Sequence, residues 1–492
     1  MPHQSLDEFI AAADAAGEVR HVEGADWDLE VGCLAELSCE MDGPLLLFDG
    51  FAGFPRGYRV STNCVRTPRR FALAMDFPLD AHPVDLVRLW RERRQRFQPL
   101  APVVVPDGPV LECQQPSDAL DVTRFPVPRW HEHDGGRYLG TGDLVVVRDP
   151  DSDWVNVGVY RAAIVAPDRL SIWIIRHKHG RILAEKYWQQ GRPAPVALVL
   201  GCDPLTWSCG YLAPPFGVCE YDYAGGMHGQ PLPVVALPMS GLPVPAHGEI
   251  VVEGEIPPPE EESVHEGPFG EWPGYYAHEG NECVVRVRNV YHRRAPILLG
   301  EPPQRPLGSS ASWGVPAITV QLWEHLERSG ITDVAGVWSF GNTLMMVIAL
   351  RTRYAGHAKQ ALLAAAGLRS GASMYSYYVV VDDDVDPSNL KEVLWAMQTR
   401  CDPATAVEIV HDAWTSDLDP RLSPAKRAAG DLTVGRLLIN ACRPYAWKDQ
   451  YPRSNVSSPQ LRHQITTKYR DLLDTFSTPA SRAQAMFDPR LH

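Results

Sequence analysis

Residues 144–164 read Leu-Val-Val-Val-Arg-Asp-Pro-Asp-Ser-Asp-Trp-Val-Asn-Val-Gly-Val-Tyr-Arg-Ala-Ala-Ile. Two apolar, β-branched runs, 144–148 and 155–164, flank a segment of Asp, Pro and Ser, the pattern of β-rich runs broken by turn residues. Similar runs follow at 170–175, 196–200, 249–256 and 283–291. Six such runs within about 160 residues predict a barrel-like antiparallel sheet. A helix over 181–190 falls inside it.

On the N-terminal side the texture is α/β. Residues 6–18 read as a helix ending at a glycine, 44–50 as a short buried strand and turn, and 67–75 and 83–96 as helices. A Pro-rich stretch (Pro102 to Pro109, then Pro116, Pro126 and Pro128) marks a boundary. From about residue 316 helices over 318–328, 357–366 and 388–399 alternate with strands over 344–350 and 375–381. The predicted division is therefore an N-terminal α/β unit over 1–110, the barrel over 111–305 and a C-terminal α/β domain over 306–492. Asp382-Asp-Asp-Val-Asp386 lacks the glycine and distal glutamate of a calcium loop and reads as a strand-to-helix turn. The amphipathic stretch 460–476 is a candidate for packing on a partner subunit.

Composition narrows the function. A chain of 492 residues is too long for one core, and its 45% hydrophobic and 22% charged content is that of an ordinary globular protein. No apolar run approaches the roughly 20 residues of a membrane helix. The start, Met1-Pro-His-Gln-Ser-Leu-Asp-Glu, has no secretory pattern, and the ten cysteines form no CxxC. Disulfide scaffolds and structural zinc are thereby disfavoured, and a cytoplasmic location is expected. The net charge of −14 argues against a nucleic-acid surface. It also means that an acidic substrate would need its own local cation.

Candidate site residues come from short motifs. Glu266-Gly-Pro-Phe-Gly-Glu271 holds two carboxylates on a loop that Pro268 and the glycines keep from being a helix. Close carboxylates split their pKa values, so one can serve as an acid while the other stays charged, provided the pair is desolvated. The aromatic run Trp272-Pro-Gly-Tyr-Tyr276 would desolvate it; a solvated surface turn is the alternative. In Asn156-Val-Gly-Val-Tyr-Arg161, Asn156 is a hard oxygen ligand or a turn residue. Arg161 is a carboxylate clamp or a surface cation. Arg176-His177-Lys178-His179-Gly180 places two rings on one strand face, a chelate or a polar strand end. The loop from Gly217 carries one further carboxylate, Glu220.

Taken in order, Asn156-x-x-x-x-Arg161, His179, Gly217-Val-x-Glu220, Glu266-Gly-Pro-Phe-Gly-Glu271 and Leu394-Trp-Ala-Met-Gln-Thr-Arg400 resemble the UbiD family of decarboxylases, which use prenylated flavin mononucleotide (prenylated FMN). The resemblance covers nearly the whole chain. It implies that the barrel is an FMN-binding split β-barrel and that the C-terminal domain is used for dimerisation. Asn156, His179 and Glu220 match the family's Mn2+ (or Mg2+) ligands on the flavin phosphate, with His177 as an alternative to His179. A K+ ion often lies nearby. Arg161, Glu266 and Glu271 match its catalytic group. Val159, Tyr160 and Arg161, then Trp173, Ile174 and Ile175, then Lys178 and His179 match flavin-contacting stretches. Arg436 stands where a basic flavin contact, usually lysine, is found. Trp313 lies in a segment that borders the substrate.

The activity so implied is reversible, non-oxidative decarboxylation of an aromatic, heteroaromatic or α,β-unsaturated acid through a covalent adduct with the flavin. Arg161 would hold the substrate carboxylate, Glu271 would deliver the proton, and Glu266 would tune the pair. A flavin prenyltransferase would supply the cofactor, and the enzyme would be a homodimer or larger. An ordinary flavin oxidoreductase or a non-catalytic flavin or metal carrier would fit the barrel alone, but has no use for the Glu-Arg-Glu group.

Overall fold

The computed structural model describes residues 3–212, 214–277, 279–305, 314–341, 344–368 and 376–474. The predicted antiparallel sheet is present and has ten strands. Its main path runs Tyr138–Gly140, Ala162–Ala166, Arg169–Ile172, Gly280–His292, Ile250–Ile256, Ala194–Leu200, Asp143–Arg148, Val155–Gly158. Ser263–Glu266 and Cys113–Gln114 also pair with the long Gly280–His292 strand.

The connections explain the curvature. Thr141 and Gly142 alone join the first strand of the path to the seventh, and Val159–Arg161 join the eighth to the second. Three or four backbone steps reach about 11–14 Å, whereas a flat path of eight strands would be about 34 Å wide. The sheet must curl until its ends approach, and a half-barrel results. Val145, Val147, Val196, Leu198, Leu170, Ile172, Val285 and Val287 fill its core.

Three local expectations are corrected. The run 155–164 is not one strand: it ends at Gly158 and restarts at Ala162. A Cβ on Gly158 would lie 2.7 Å from the Tyr160 ring, so the missing side chain lets Tyr160 fold back and break the strand. His177 and His179 do not share a strand face. Arg169–Ile172 stops early, and His179 is the first residue of the helix His179–Gln189. The segment after Gly217 is not all loop, because Glu220 opens the helix Glu220–His228. Its glycines disguise it in the sequence yet serve packing. Cβ atoms on Gly225 and Gly226 would stand 2.5 and 2.4 Å from the carbonyl oxygens of Leu100 and Gln98.

Contacts divide the described chain into two compact units. The first unit holds residues 3–66, 73–76 and 93–305; the second holds 67–72, 77–92 and the described residues from 314 onward. In the first, Val19–Glu23, Leu45–Asp49, Arg59–Thr62 and Ile297–Gly300 form a second, four-stranded sheet. The last strand comes straight out of the half-barrel segment and pairs in parallel with Arg59–Thr62, which joins the two sheets into one body. Helix Leu6–Ala15 is capped by Ser5 and closed near Gly17, whose φ of 77° suits glycine.

The second unit is α/β. Its five strands run Val334–Phe340, Met345–Leu350, Tyr377–Asp382, Thr433–Ala441, Val407–Trp414, parallel in the middle and antiparallel at both edges. Helices Gly314–Arg328, His357–Ala366 and Leu390–Arg400 alternate with them. The Asp382–Asp386 segment is the predicted strand-to-helix turn. Arg400 bridges Asp382 and Asp384, Arg443 bonds Asp382, and His82 Nε2 meets Asp386 at 3.0 Å. The stretch 460–474 forms two short helices, Pro459–Lys468 and Arg470–Asp474; 475 and 476 lie outside the described residues. Among the described residues no helix is long and apolar enough to cross a membrane.

Candidate active site

Arg161 lies in the three-residue crossing that pulls the sheet ends together. In one continuous strand Asn156 and Arg161 would face opposite sides; the break after Gly158 frees Arg161 from that alternation. The two glutamates arrive on separate short strands. Glu266 ends Ser263–Glu266, opposite Gly280. Glu271 ends Phe269–Glu271, opposite Tyr275 in a small hairpin. Between them Gly267 has a φ of 91°, and the Gly267–Pro268 bond is cis.

The three side chains meet. Arg161 Nη2 donates to Glu266 Oε2 at 2.7 Å and Nη1 to Glu271 Oε1 at 2.8 Å. Tyr138 Oη donates to the other Glu266 oxygen at 2.7 Å. The Tyr138 ring stacks on Phe269 at 3.8 Å, and the Arg161 guanidinium lies 4.2 Å from the Trp173 ring centre. The Glu266 and Arg161 side chains are 1% and 6% exposed and Glu271 is 15% exposed, so water reaches mainly Glu271.

Burial raises the Glu271 pKa, and the charge and hydrogen bond of Arg161 only partly oppose it. Burial would lower the Arg161 pKa, but its bond to Glu266 and both carboxylate charges raise it, so the cation is secure. Burial and the Glu266 charge raise the Tyr138 hydroxyl, which therefore stays a donor. The aromatics packed on the group are Tyr138, Phe269 and Trp173; of the run after Glu271, Trp272 is half-buried and Tyr275 and Tyr276 are exposed.

Gly135 is a residue the sequence reading missed. Its N–H donates to Pro268 O at 2.8 Å, and a Cβ there would sit 2.2 Å from Gly267 O. Alanine at 135 must push the Glu266–Glu271 loop away. Gly135→Ala is expected to lower kcat by about tenfold or more, because small displacements at a reacting centre are costly. Gly136→Ala, whose Cβ would come no closer than 3.9 Å to Ile164 O, is the matched control. Steady-state kinetics on both variants checks this. Tyr138 was also missed; its place just after the Gly135-Gly136 pair was the available signal.

Asn156 and Glu220 form the second cluster. Asn156 Nδ2 donates to Glu220 Oε1 and Val157 N–H to Oε2, both at 2.8 Å. Glu220 is 2% exposed, and burial pushes its pKa up to about 7 against these neutral donors. Asn156 Oδ1 is buried without a hydrogen-bond partner. A hard cation would satisfy both oxygens, so these residues fit a divalent metal. His179 opens a helix that touches the Val155–Gly158 strand, as does the helix opened by Glu220. Its half-buried ring packs edge-on against Trp154 and Phe216, and no hydrogen bond joins it to Asn156 or Glu220. His177 is exposed. Among the described residues no group of three or more His, Cys, Asp and Glu could hold a metal, so any ion here would depend on the Asn156 amide.

The remaining predicted contacts are placed as follows. Val159 and Tyr160 lie in the crossing beside Arg161, and Tyr160 is buried. Trp173 and Ile175 are half-buried on the irregular segment after Ile172; Ile174 belongs to the core, and Lys178 is exposed. Arg436 is in the second unit and donates to the carbonyls of Ala366 and Trp414. Trp313 lies outside the described residues.

Comparison with known proteins gives these clusters a context. Residues 103–306 match the 3-octaprenyl-4-hydroxybenzoate carboxy-lyase Rift-related domain. Residues 10–90 and 313–441 match the N- and C-terminal domains of the same carboxy-lyase. The pyrrole-2-carboxylic acid decarboxylase of Pseudomonas aeruginosa is 31% identical over 479 residues, 92% of each chain. The UbiD-class enzyme HmfF from Pelotomaculum thermopropionicum, solved with FMN, is 30% identical with a TM-score of 0.82, over 94% of this chain and 100% of that one. An evolved dimeric form of it, with prFMN, is 28% identical with a TM-score of 0.78, over 93% and 98%. With three consecutive family domains and a full-length relative above 30% identity, this chain belongs to the UbiD family of carboxy-lyases.

Proposed function

We propose that the protein catalyses reversible, non-oxidative decarboxylation of an aromatic, heteroaromatic or otherwise α,β-unsaturated carboxylic acid. The observation that carries this is the buried Arg161 bridge between Glu266 and Glu271, with Tyr138 fixing the far oxygen of Glu266. Loss of carbon dioxide from an sp2 carbon leaves a carbanion with no sink, and prenylated FMN supplies that sink when bound. The protein's part is position and proton. Arg161 meets the substrate carboxylate as the local cation an acid needs in a chain of net charge −14. Glu271, whose raised pKa favours the acid form, delivers the proton that replaces the carboxylate, and Glu266 keeps Arg161 in place.

In this reading the half-barrel is the flavin-binding split barrel, and the C-terminal domain mediates a homodimer. Asn156, Glu220 and His179, with His177 as the alternative, hold Mn2+ or Mg2+ against the flavin phosphate, with K+ nearby and Arg436 as a basic contact. A flavin prenyltransferase supplies the cofactor in the cytoplasm. The test is carbon dioxide release from a panel of unsaturated acids by protein co-produced with that prenyltransferase. No release from any acid, with prenylated FMN verified in the protein, contradicts the proposal.

Glu220→Ala and His179→Ala are expected to lose metal and flavin together, because the phosphate loses its ion. Elemental analysis and flavin quantitation check this. If His179→Ala keeps both while His177→Ala loses them, the ligand is His177.

A further inference from the structure

The place of Tyr138 is fixed by its backbone and its ring. The strand Tyr138–Gly140 pairs with Ala162–Ala166 through a bulge, since Tyr138 and Gly140 stand opposite the consecutive residues Ala163 and Ala162. A bulge re-aims the side chains beside it. Trp130 Nε1 donates to the Tyr138 carbonyl at 3.0 Å, and the ring stacks on Phe269. Neither contact uses the hydroxyl. That group is spent entirely on Glu266.

The hydroxyl makes the two glutamates unequal. Glu266 accepts on both oxygens, Oε2 from Arg161 Nη2 and Oε1 from Tyr138 Oη, each at 2.7 Å. An arginine can only donate, so a proton on Glu266 would have to sit on Oε1 and reverse the Tyr138 bond. Glu271 accepts from Arg161 through Oε1, and among the described residues no side chain donates to its Oε2. Donors favour the charged form of a carboxylate. They therefore hold Glu266 as the anion and leave Glu271 Oε2, on the more exposed carboxylate, as the seat for a proton. The other charged and titratable groups near the pair are Arg161 in the crossing, Asp134 before Tyr138 and Tyr211, which is within electrostatic reach of Glu271. Asp134 acts on the Tyr138 hydroxyl in the same direction as Glu266 and keeps it a donor. The Trp272 N–H favours charge on Glu271, against burial and the Glu266 charge.

We infer that Tyr138 is a positioning residue that acts through Glu266: its hydroxyl keeps the one exchangeable proton of the Glu266–Glu271 pair on Glu271. The inference rests on the decarboxylase reading and adds to it the group that decides which glutamate is the acid. Glu271 gives that proton to the carbon that has lost carbon dioxide, is left charged, and regains a proton from water at its exposed side. Without the hydroxyl, Glu266 competes for the proton. As Glu266 becomes neutral, Glu271 loses the negative neighbour that helps it hold its own proton, and releases it at lower pH.

The test is Tyr138→Phe in flavin-loaded protein, which keeps the ring and its stack and removes only the O–H. Infrared difference spectra over a pH series, with and without 13C-labelled glutamate, report protonated glutamate carboxyls. Wild type should show one such band from the pair, abolished by Glu271→Gln. Tyr138→Phe should add a second band, absent when Glu266→Gln is combined with it. In kinetics, Tyr138→Phe should lower kcat about threefold or more with KM, flavin content and Tm close to wild type. The alkaline limb of its pH profile should move about half a pH unit or more to lower pH, the scale of one lost bond to a charged carboxylate. In a Glu266→Gln background, Tyr138→Phe should move the limb no further. If Glu266→Gln does not turn over, the infrared bands of the same variants decide. A band and limb left in place by Tyr138→Phe overturn the inference, also where Tm and flavin content fall, because the tyrosine is then structural. An equal further shift in the Glu266→Gln background overturns it too, because Tyr138 then does not act through Glu266. The predicted bands without carbon dioxide release sink the decarboxylase reading alone; release with an unmoved band and limb sinks this inference alone.

Discussion

Glu271→Gln is expected to cut kcat by roughly 10²-fold or more at matched flavin occupancy, the scale of a lost general acid. Glutamine is nearly isosteric and can still accept from Arg161 Nη1, so the bridge at 2.8 Å has a substitute while the transferable proton is gone. The pH dependence gives a second signature. Glu271 is needed as the acid, and burial holds its pKa above the ordinary carboxylate range. Activity that depends on it should be full at lower pH and fall as pH rises through that raised value; the residual activity of Glu271→Gln should lack this limb. Stability follows the same sign. A raised folded pKa means that the contribution of Glu271 is complete below its unfolded pKa and is lost as pH rises through the folded one. The glutamine variant should therefore lose less stability than wild type on moving to alkaline pH. Equal kcat values for the two proteins at matched occupancy would leave Glu266 or a water as the donor.

The other large effect concerns the cofactor. Protein made without a flavin prenyltransferase is expected to carry plain FMN or none, and to release no carbon dioxide from any acid in the panel. Arg161, Glu266, Glu271 and Tyr138 can position a carboxylate and move a proton, but none can accept an electron pair from an sp2 carbon. Full turnover by a preparation shown by mass spectrometry to lack prenylated FMN would contradict this.

Much of the site was legible because its chemistry sits in short motifs. Glu266 and Glu271 lie 105 and 110 residues after Arg161 in sequence and meet at its guanidinium. What could not be read was geometry set by neighbours. Asn156 and Glu220 share a hydrogen bond only because Glu220 opens a helix, and that helix was hidden by Gly225 and Gly226, which exist to let it approach residues 98–100. Tyr138 and Gly135 act across the fold on a loop about 130 residues later, a contact with no local pattern. The same holds for the fold. The β-rich texture was visible, but the curl follows from which strands the two short crossings join. The strand that completes the N-terminal sheet, Ile297–Gly300, could not be assigned to it from the sequence, because it comes from the other end of the half-barrel segment.

The most direct test of the account is a turnover in deuterated water by prenylated-FMN-loaded wild-type protein on an acid it accepts, with the product analysed by mass spectrometry and NMR. The account predicts one molecule of carbon dioxide per product, one deuterium at the carbon that bore the carboxylate, and no change in the oxidation state of that product. An oxidised product, or one that carries no deuterium at that carbon, would contradict it.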